Sequence, residues 1–558
     1  MASSSAPSVT GSPSARGRAH AGRVAGAARV GALVRWAPGS ARVGALVRRV
    51  PRAAWLCALV ALANGLAWSL IVPPFEVPDE NAHYAYVAQV AERDTLPHPG
   101  PPAGPLSPAE DDTLAAVRFY EMVGEPHNPA PFSALQQEEI EAVAREPLST
   151  RGDGDALTAT NNPPLYYMLE AIPYKLGASG SVLDRLALMR VLSALMGAVT
   201  VLLVYLFLME LLPGRRWAWS VGALAVAFQP LFGFMSGGVN SDNLIYLTAA
   251  GTLWGVARMF RRGLTPASGA LIGAFLGAGL VTKFTLLGFL PAAALAVALG
   301  LWRAWPPERN AGRGQDPGHR WDGERDGESS GGHARKRASA VCGAAWAVGL
   351  VAAPVLVYLI LNRWVWKRGS VPAIGSVSSV SPTGQHFSFG GELSHIWQLF
   401  LPPLPGMHRQ FSYLPFAHTW LKGFVGRFGW LDYTFPGWVY NAAGGVMLLV
   451  CALAVVELVR RRRALGGRLG ELAVYVLALV GLCVEIGVES YREAILTGSV
   501  FEQARYLLPL LCLYAAIVAL ATRAGGRRFG PAIGAAIVMI AIGHDLFSQA
   551  ITIARYYA

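Results

Sequence analysis

The sequence predicts an all-α fold, a polytopic transmembrane helix bundle, on three observations. The 558-residue chain is 53% hydrophobic and only 15% charged. Its mean hydropathy is positive, +0.38. Apolar runs of about 18–23 residues recur along it, and at ~1.5 Å rise per residue each can cross a ~30 Å hydrocarbon core. Backbone polar groups in lipid must be satisfied within their own segment, so these runs are helices rather than strands.

About eleven crossings are predicted. They cover residues 53–72, 190–212, 217–235, 242–259, 267–282, 285–303, 341–361, 438–459, 471–489, 505–521 and 530–548. The fifth and sixth form one run divided at Lys283. All five cysteines (Cys57, Cys342, Cys451, Cys483, Cys512) fall in or at the ends of these segments without CxxC spacing. They read as small hydrophobes, and neither a disulfide framework nor a zinc site is expected.

Charge sets the orientation. Residues 1–52 hold nine arginines and no acid, and the turns at Arg215–Arg216, Arg261–Arg262, Arg460–Arg463 and Arg523–Arg528 are basic, as is "HARKRAS" in the 302–340 loop. With eleven crossings these all lie on one side, which the positive-inside rule makes the cytoplasm. Residues 73–189 carry 18 of the 35 acids against six basic residues, and fall on the opposite side. The net charge of +12 is therefore an orientation signal and not a nucleic-acid footprint. A multi-pass protein of a bacterial plasma membrane with a cytoplasmic N-terminus is expected, and the Ala/Gly/Arg bias fits a GC-rich bacterial genome and an elaborate envelope.

The predicted organisation is a basic cytoplasmic tail (1–52), an N-terminal membrane module (53–304), a flexible linker (305–340) and a C-terminal membrane module (341–558). The tail repeats "ARVGALVR" at 28–35 and 41–48 and reads as disordered, or as a surface anchor. The linker, rich in Gly, Asp and Arg, reads as disordered by composition. Two long loops face outward. The first, 73–189, is too long to be a simple connector. It opens with a helix-start signal at Pro78, Asp79 and Glu80 and closes with "NNPPLYYMLEAIPYKLG" (161–177), which suits an interfacial helix. The second, 363–437, is rich in aromatics and suggests one or two helices on the membrane surface.

Four stretches carry chemistry. In "VPPFEVPDENAHYAY" (72–86) a helix begun by Pro78 puts Asp79 and His83 four apart on one face. A carboxylate there is held ionised by the positive helix end, as a general base for a hydroxyl requires. Asp79 is the expected base, Glu80 and His83 its supports, and Glu76 is set aside as off the helix face. The plainer role for Asp79 and Glu80 is to cap a juxtamembrane helix. In "FMSGGVNSDNLIY" (234–246), Asn240 and Asp242 either cap the next helix or form a second polar wall binding sugar hydroxyls or a cation. In "VTKFTLLGFLP" (281–291), Lys283 marks an outer turn, where it snorkels to the interface or reaches a lipid phosphate. In "FEQARYLLPLL" (501–511), Arg505 and Tyr506 form either an interfacial anchor or a phosphate fork. Arg190, Arg409 and Arg427 are weaker candidates of the same kind. Walker A, GxGxxG, HExxH, GxSxG and CxxC patterns are missing, which disfavours nucleotide-driven transport, a dinucleotide enzyme and a zinc protease.

The acidic pair after the first crossing, the long first outer loop and the "PPLYY" segment (163–167) together resemble the GT-C superfamily of integral-membrane glycosyltransferases. "PDENAHYAY", "NSDN", "TKFT" and "ARYLLPL" look most like an uncharacterised bacterial branch of predicted membrane proteins, over roughly residues 55–520. The resemblance implies a polyprenyl-phosphate-sugar donor, a glycan, glycolipid or protein acceptor of the cell envelope, and an active site on the extracytoplasmic face. It implies that Asp79 takes the acceptor proton, or organises a divalent cation such as Mg or Mn with Glu80 and Asp242, and that the sugar is transferred with inversion. Lys283 and Arg505 would hold the leaving phosphate, with Asn162, Tyr166, Asn240, Asp242 and Tyr506 around the substrate. His83 departs from the commonest GT-C pattern, and no large soluble C-terminal domain follows, which puts a polymer-acceptor module in doubt. The competing readings are a transporter or lipid flippase, which would bury ionisable groups near the midplane, and a non-catalytic envelope-assembly protein.

Overall fold

A computed structural model describes residues 50–97, 106–125, 133–146, 159–305, 325–368, 387–498 and 502–557. The expected N-terminal tail, with its duplication, and linker residues 306–324 lie outside these. Residues 56–558 form one compact unit, set apart from residues 1–55. Of residues 1–55 only 50–55 are described, and the helix Arg52–Ile71 opens within them.

All eleven predicted segments are helical. Among the described residues, eight helices are long and apolar enough to cross a membrane by length and composition. The pair Arg216–Ala227 and Pro230–Ser236, bent by 63°, makes a ninth if it is one span. Pro230 causes the break: it opens the second piece, and Gln229 caps it by accepting the Phe232 N–H at 2.6 Å. Two predicted spans are helices that fall short, Asp242–Arg262 because both its ends are polar and Pro266–Leu280 because it has 15 residues. The helix predicted from 190 starts at Val182, where Ser181 and Asp184 form a capping box. The helix Arg325–Ile360 runs back through much of the segment assigned by composition to the linker.

The basic turns meet at one end of the bundle. Arg215 donates to Arg523 O (3.2 Å), Arg460 to Ala524 O (2.6 Å) and Arg468 to Leu211 O (2.9 Å), while Arg261 and Arg262 pair with the buried Glu210 at 3.0 and 2.7 Å. These arginines close helix C-termini, where carbonyls lack partners and the dipole is negative. The acid-bearing loops gather at the other end.

Helices from the two halves of the chain pack on each other. Gly269, Gly273 and Gly277 form a small-residue stripe on Pro266–Leu280 that presses on the backbone of 343–350, and a methyl at Gly269 would collide with Gly343 O. Gly288 and Gly481 make the same kind of backbone-to-backbone approach.

The polar interior is richer than predicted. On the last helix, Gly530–Tyr557, the buried polar residues Asp545, Ser548, Gln549, Thr552 and Tyr556 form one face. Asp545 accepts from Trp68 Nε1 and Gln549 Nε2, both at 3.0 Å, and Gln549 also donates to Asn64 Oδ1 at 2.9 Å. An acid within a crossing thus exists, although the sequence places the acids in loops. Of the five cysteines, all free, Cys57 and Cys512 are buried and Cys342 and Cys451 are exposed.

The first long loop folds as helices Glu80–Arg93, Pro108–Ala116, Phe119–Met122, Ala134–Arg145 and Leu165–Leu176. Phe75, Tyr84, Tyr86, Tyr166, Tyr167 and Tyr174 form a core there with Met189 of the second crossing. The second loop holds helix Phe389–Phe400, a turn of π-helix at Phe416–Leu421 and a two-residue hairpin pairing Arg427–Phe428 with Tyr433–Thr434.

Candidate functional site

Four charged residues from four separated stretches meet at the acid-bearing end. Asp79 precedes the Glu80–Arg93 helix, and Asp242 opens the Asp242–Arg262 helix. Lys283 and Arg505 lie at irregular helix entries: Lys283 precedes the 3₁₀ turn Phe284–Phe289, and Arg505 sits within another, Ala504–Leu510. Pro291 and Pro509 lie in or just after these turns and lack the N–H that a regular helix start would use there.

Arg505 is the hub. Its Nη2 pairs with Asp79 Oδ2, its Nη1 donates to Pro78 O at 3.2 Å, and its Nε lies 3.6 Å from Asp242 Oδ2. Lys283 Nζ holds the other Asp242 oxygen at 2.6 Å. Tyr506 packs against both cations, its ring centre 5.1 Å from Lys283 Nζ and 5.2 Å from the Arg505 guanidinium. The four side chains sum to zero charge, with Arg505 and Asp242 about 3–4% exposed, Lys283 21% and Asp79 23%. The two partly exposed members are therefore the ones a ligand reaches first.

Asp79 adopts a left-handed backbone conformation, φ 64°, and its side chain does not cap the helix. For a residue other than glycine this costs about 1–2 kcal/mol. The helix begins at Glu80 rather than at Pro78, so Asp79 stands outside it and points at Arg505 instead of along the helix face. Burial tends to raise its pKa, but the Arg505 guanidinium and the Lys283 ammonium outweigh that and hold the carboxyl below the usual range.

Glu80, expected beside Asp79 in a catalytic role, has a different one. It is fully buried and ion-paired to Arg190 at 2.6 and 2.9 Å, and it accepts the backbone N–H of Phe75 (2.9 Å) and Val239 (2.8 Å). Arg190 also donates to the carbonyls of Ser69, Val72 and Pro73. Both oxygens of Glu80 are engaged, so neither is left for a substrate or a metal. Arg190, a weaker phosphate candidate in the sequence, is spent on the same lock.

His83 supports Asp79 only indirectly. Its Nδ1 lies 3.0 Å from Tyr167 OH, and its ring stacks on Tyr167. Burial depresses its pKa to about 4, so the imidazole is neutral at physiological pH. Asn162 donates to Tyr167 OH at 2.9 Å, and Tyr86 lies flat on the Tyr167 ring at 3.6 Å. Tyr167 is thus the centre of this wall, whereas Tyr166, the neighbour expected to bind substrate, turns to Ser193 (3.1 Å). The periodicity of a short helix with an unknown face does not separate the two. Asn240 braces the site: it donates to Pro78 O and accepts the Asp242 N–H, both at 2.9 Å. Arg409 is exposed, and Arg427 donates to Leu431 O at 2.9 Å inside its hairpin.

A divalent cation on Asp79, Glu80 and Asp242 does not fit this donor set. Glu80 is saturated, the two aspartates face cations, and among the described residues no three His, Cys, Asp or Glu side chains are grouped to hold a metal ion.

Fold and site together define a multi-pass helical membrane protein with a charge-paired cluster at one end of the bundle. The chain belongs to the family described as "Predicted membrane protein (DUF2142)", which matches residues 62–514. No curated protein matches the chain. Solved structures similar to it include ArnT from Cupriavidus metallidurans in the apo state (12% identity, TM-score 0.41, 86% of this chain and 60% of that one). Others are the S. cerevisiae protein O-mannosyltransferase Pmt1–Pmt2 complex bound to the sugar donor (16%, 0.35, 56% and 34%) and the Archaeoglobus fulgidus oligosaccharyltransferase AglB with an inhibitory peptide and a dolichol-phosphate (15%, 0.37, 90% and 56%). The chain spans about a third to three fifths of the length of these structures.

Proposed function

We propose that the protein is a membrane glycosyltransferase that moves a sugar from a polyprenyl-phosphate donor to a cell-envelope acceptor on the extracytoplasmic face of a bacterial plasma membrane. The observation that carries this reading is the convergence of Asp79, Asp242, Lys283 and Arg505 on one partly exposed cluster. The sequence resemblance to GT-C enzymes adds to it.

Each residue has a task in the reaction. The donor phosphate approaches Lys283 and Arg505 and competes with the aspartates for them; arginine forks onto phosphate oxygens, and lysine adds a point charge. As Arg505 turns to the phosphate, Asp79 loses the partner that depresses its pKa and becomes a stronger base. The acceptor hydroxyl gives its proton to Asp79, and its oxygen bonds to the anomeric carbon from the face opposite the phosphate. The bond from that carbon to the phosphate oxygen breaks, and polyprenyl phosphate leaves with the electron pair, its charge met by Arg505 and Lys283. One displacement inverts the anomeric centre. Asp242 holds the two cations in place between turnovers.

The test is turnover of polyprenyl-phosphate hexoses and pentoses carrying a radiolabelled sugar, with envelope lipid extract as acceptor source. Asp79→Asn keeps a residue that tolerates the left-handed backbone, so the change isolates the proton acceptor. Its rate should fall by about 10²–10⁴-fold, the usual contribution of a general base. Full activity in that variant removes Asp79 from the role.

A further inference from the structure

A cavity of about 210 Å³ lies beside the strap that leads into the site, between the last helix and the first outer loop. Its polar lining is Glu76, Arg118, Gln136, Gln137, Tyr556 and Tyr557, and the rest of its wall is apolar. Glu76 is 3% exposed, and its Oε2 accepts from Tyr556 OH at 2.9 Å. The last helix, which supplies both tyrosines, lies beyond the family match ending at residue 514.

The chemistry of this lining is that of carbohydrate recognition. Planar carboxyl, amide and guanidinium groups exchange paired hydrogen bonds with vicinal hydroxyls. Tyrosine rings offer an apolar face to the C–H side of a sugar and a hydroxyl at the rim. The cavity is smaller than the ~300–1,000 Å³ of pockets for drug-sized ligands, so it suits a single sugar ring and not a polyprenyl tail. It is also close to the reacting centre. Glu76 and Asp79 are three residues apart, a span of at most about 11 Å. The Glu80–Arg190 lock fixes that strap through the Phe75 N–H and the Pro73 carbonyl.

We propose that this cavity is a subsite for the acceptor glycan, seating the sugar next to the one whose hydroxyl meets Asp79. This rests on the glycosyl-transfer reading and names its acceptor class as carbohydrate. Burial raises the Glu76 carboxyl to about 7, so near neutral pH it can both donate to and accept from hydroxyls.

The experiment is saturation-transfer NMR on the full-length protein in lipid nanodiscs, with the methyl glycosides of glucose, galactose, mannose and arabinose as probes. Tyr557→Ala and Gln137→Ala change residues at the cavity mouth without opening the core. At least one glycoside should show transfer to the wild type. Affinity should fall about five-fold in Tyr557→Ala, the loss of roughly 1 kcal/mol of ring contact, and stay unchanged in Arg505→Lys. Absence of transfer from all four probes overturns the proposal, as does a signal undiminished in both cavity variants. Binding of undecaprenyl phosphate, measured on the same samples, separates the two readings. If the lipid binds and Arg505→Lys weakens it while the glycosides fail, the subsite falls and the donor reading stands. If the glycosides bind as expected and the lipid does not, the donor reading falls, the acceptor role falls with it, and the cavity stands as a carbohydrate site only.

Discussion

Asp79, Glu80 and Glu76 are three carboxylates within five residues, and the structure gives each a different partner and task. Glu76, buried and ordinarily near 4.5, is raised to about 7 chiefly by desolvation. Because its folded pKa exceeds its unfolded one, its contribution to stability is complete below about pH 4.5 and is lost as pH rises through 7. Glu76→Gln should therefore gain stability relative to wild type between pH 5 and pH 8, by up to about 3 kcal/mol, read as a widening difference in Tm. His83 has the opposite sign: lowered from 6.5 to about 4, it stabilises fully above 6.5 and loses that contribution as pH falls toward 4. The residues that meet in the cluster were visible in the sequence. Asp79, Asp242, Lys283 and Arg505 stand out because charge beside an apolar run demands a reason. Their division of labour was not visible. Adjacent carboxylates look alike until burial and a partner 110 positions away, Arg190, set Glu80 apart. Glu76 was set aside as off the helix face, and it does lie outside the helix, four residues before Glu80, where it accepts instead from Tyr556 of the last helix.

At the scale of elements, the site is made where helices begin badly. Lys283 and Arg505 sit at 3₁₀ entries, Asp79 in a left-handed turn and Asp242 at a helix start. The Glu80–Arg190 pair holds this irregular backbone by tying the 73–80 strap to the second crossing. Arg190→Ala leaves Glu80 charged and buried and should cost about 3–5 kcal/mol, whereas replacing both by Met should recover a large part of that. Thermal unfolding of the two variants in one detergent checks it. Hydropathy placed a helix at each of the eleven segments, because apolar length is a one-dimensional property, although among the described residues only eight, or nine with the bent pair, are long and apolar enough to span a membrane. It did not place the break at Pro230 or the early start at Val182, where single capping residues decide. Nor did it anticipate Asp545, whose burial is made tolerable by Trp68 of the first helix and by Gln549 one turn further along its own.

At the scale of the molecule, the charge asymmetry read along the chain reappears as geometry. The basic turns interlock through carbonyl and Glu210 contacts at one end, and the acidic loops build a tyrosine-rich core at the other. The modules on either side of the linker share one interior, joined by glycines that allow backbone to touch backbone. That seam has a consequence for how the protein can be made. Surfaces that meet without side chains between them recognise each other by shape alone, so peptide continuity through residues 306–324 contributes mainly local concentration. Two separate polypeptides, cut within that stretch and produced in the same cell, should find each other in the bilayer and co-purify through a tag on either one. Leucine at Gly273 should abolish that pairing while leaving each fragment inserted.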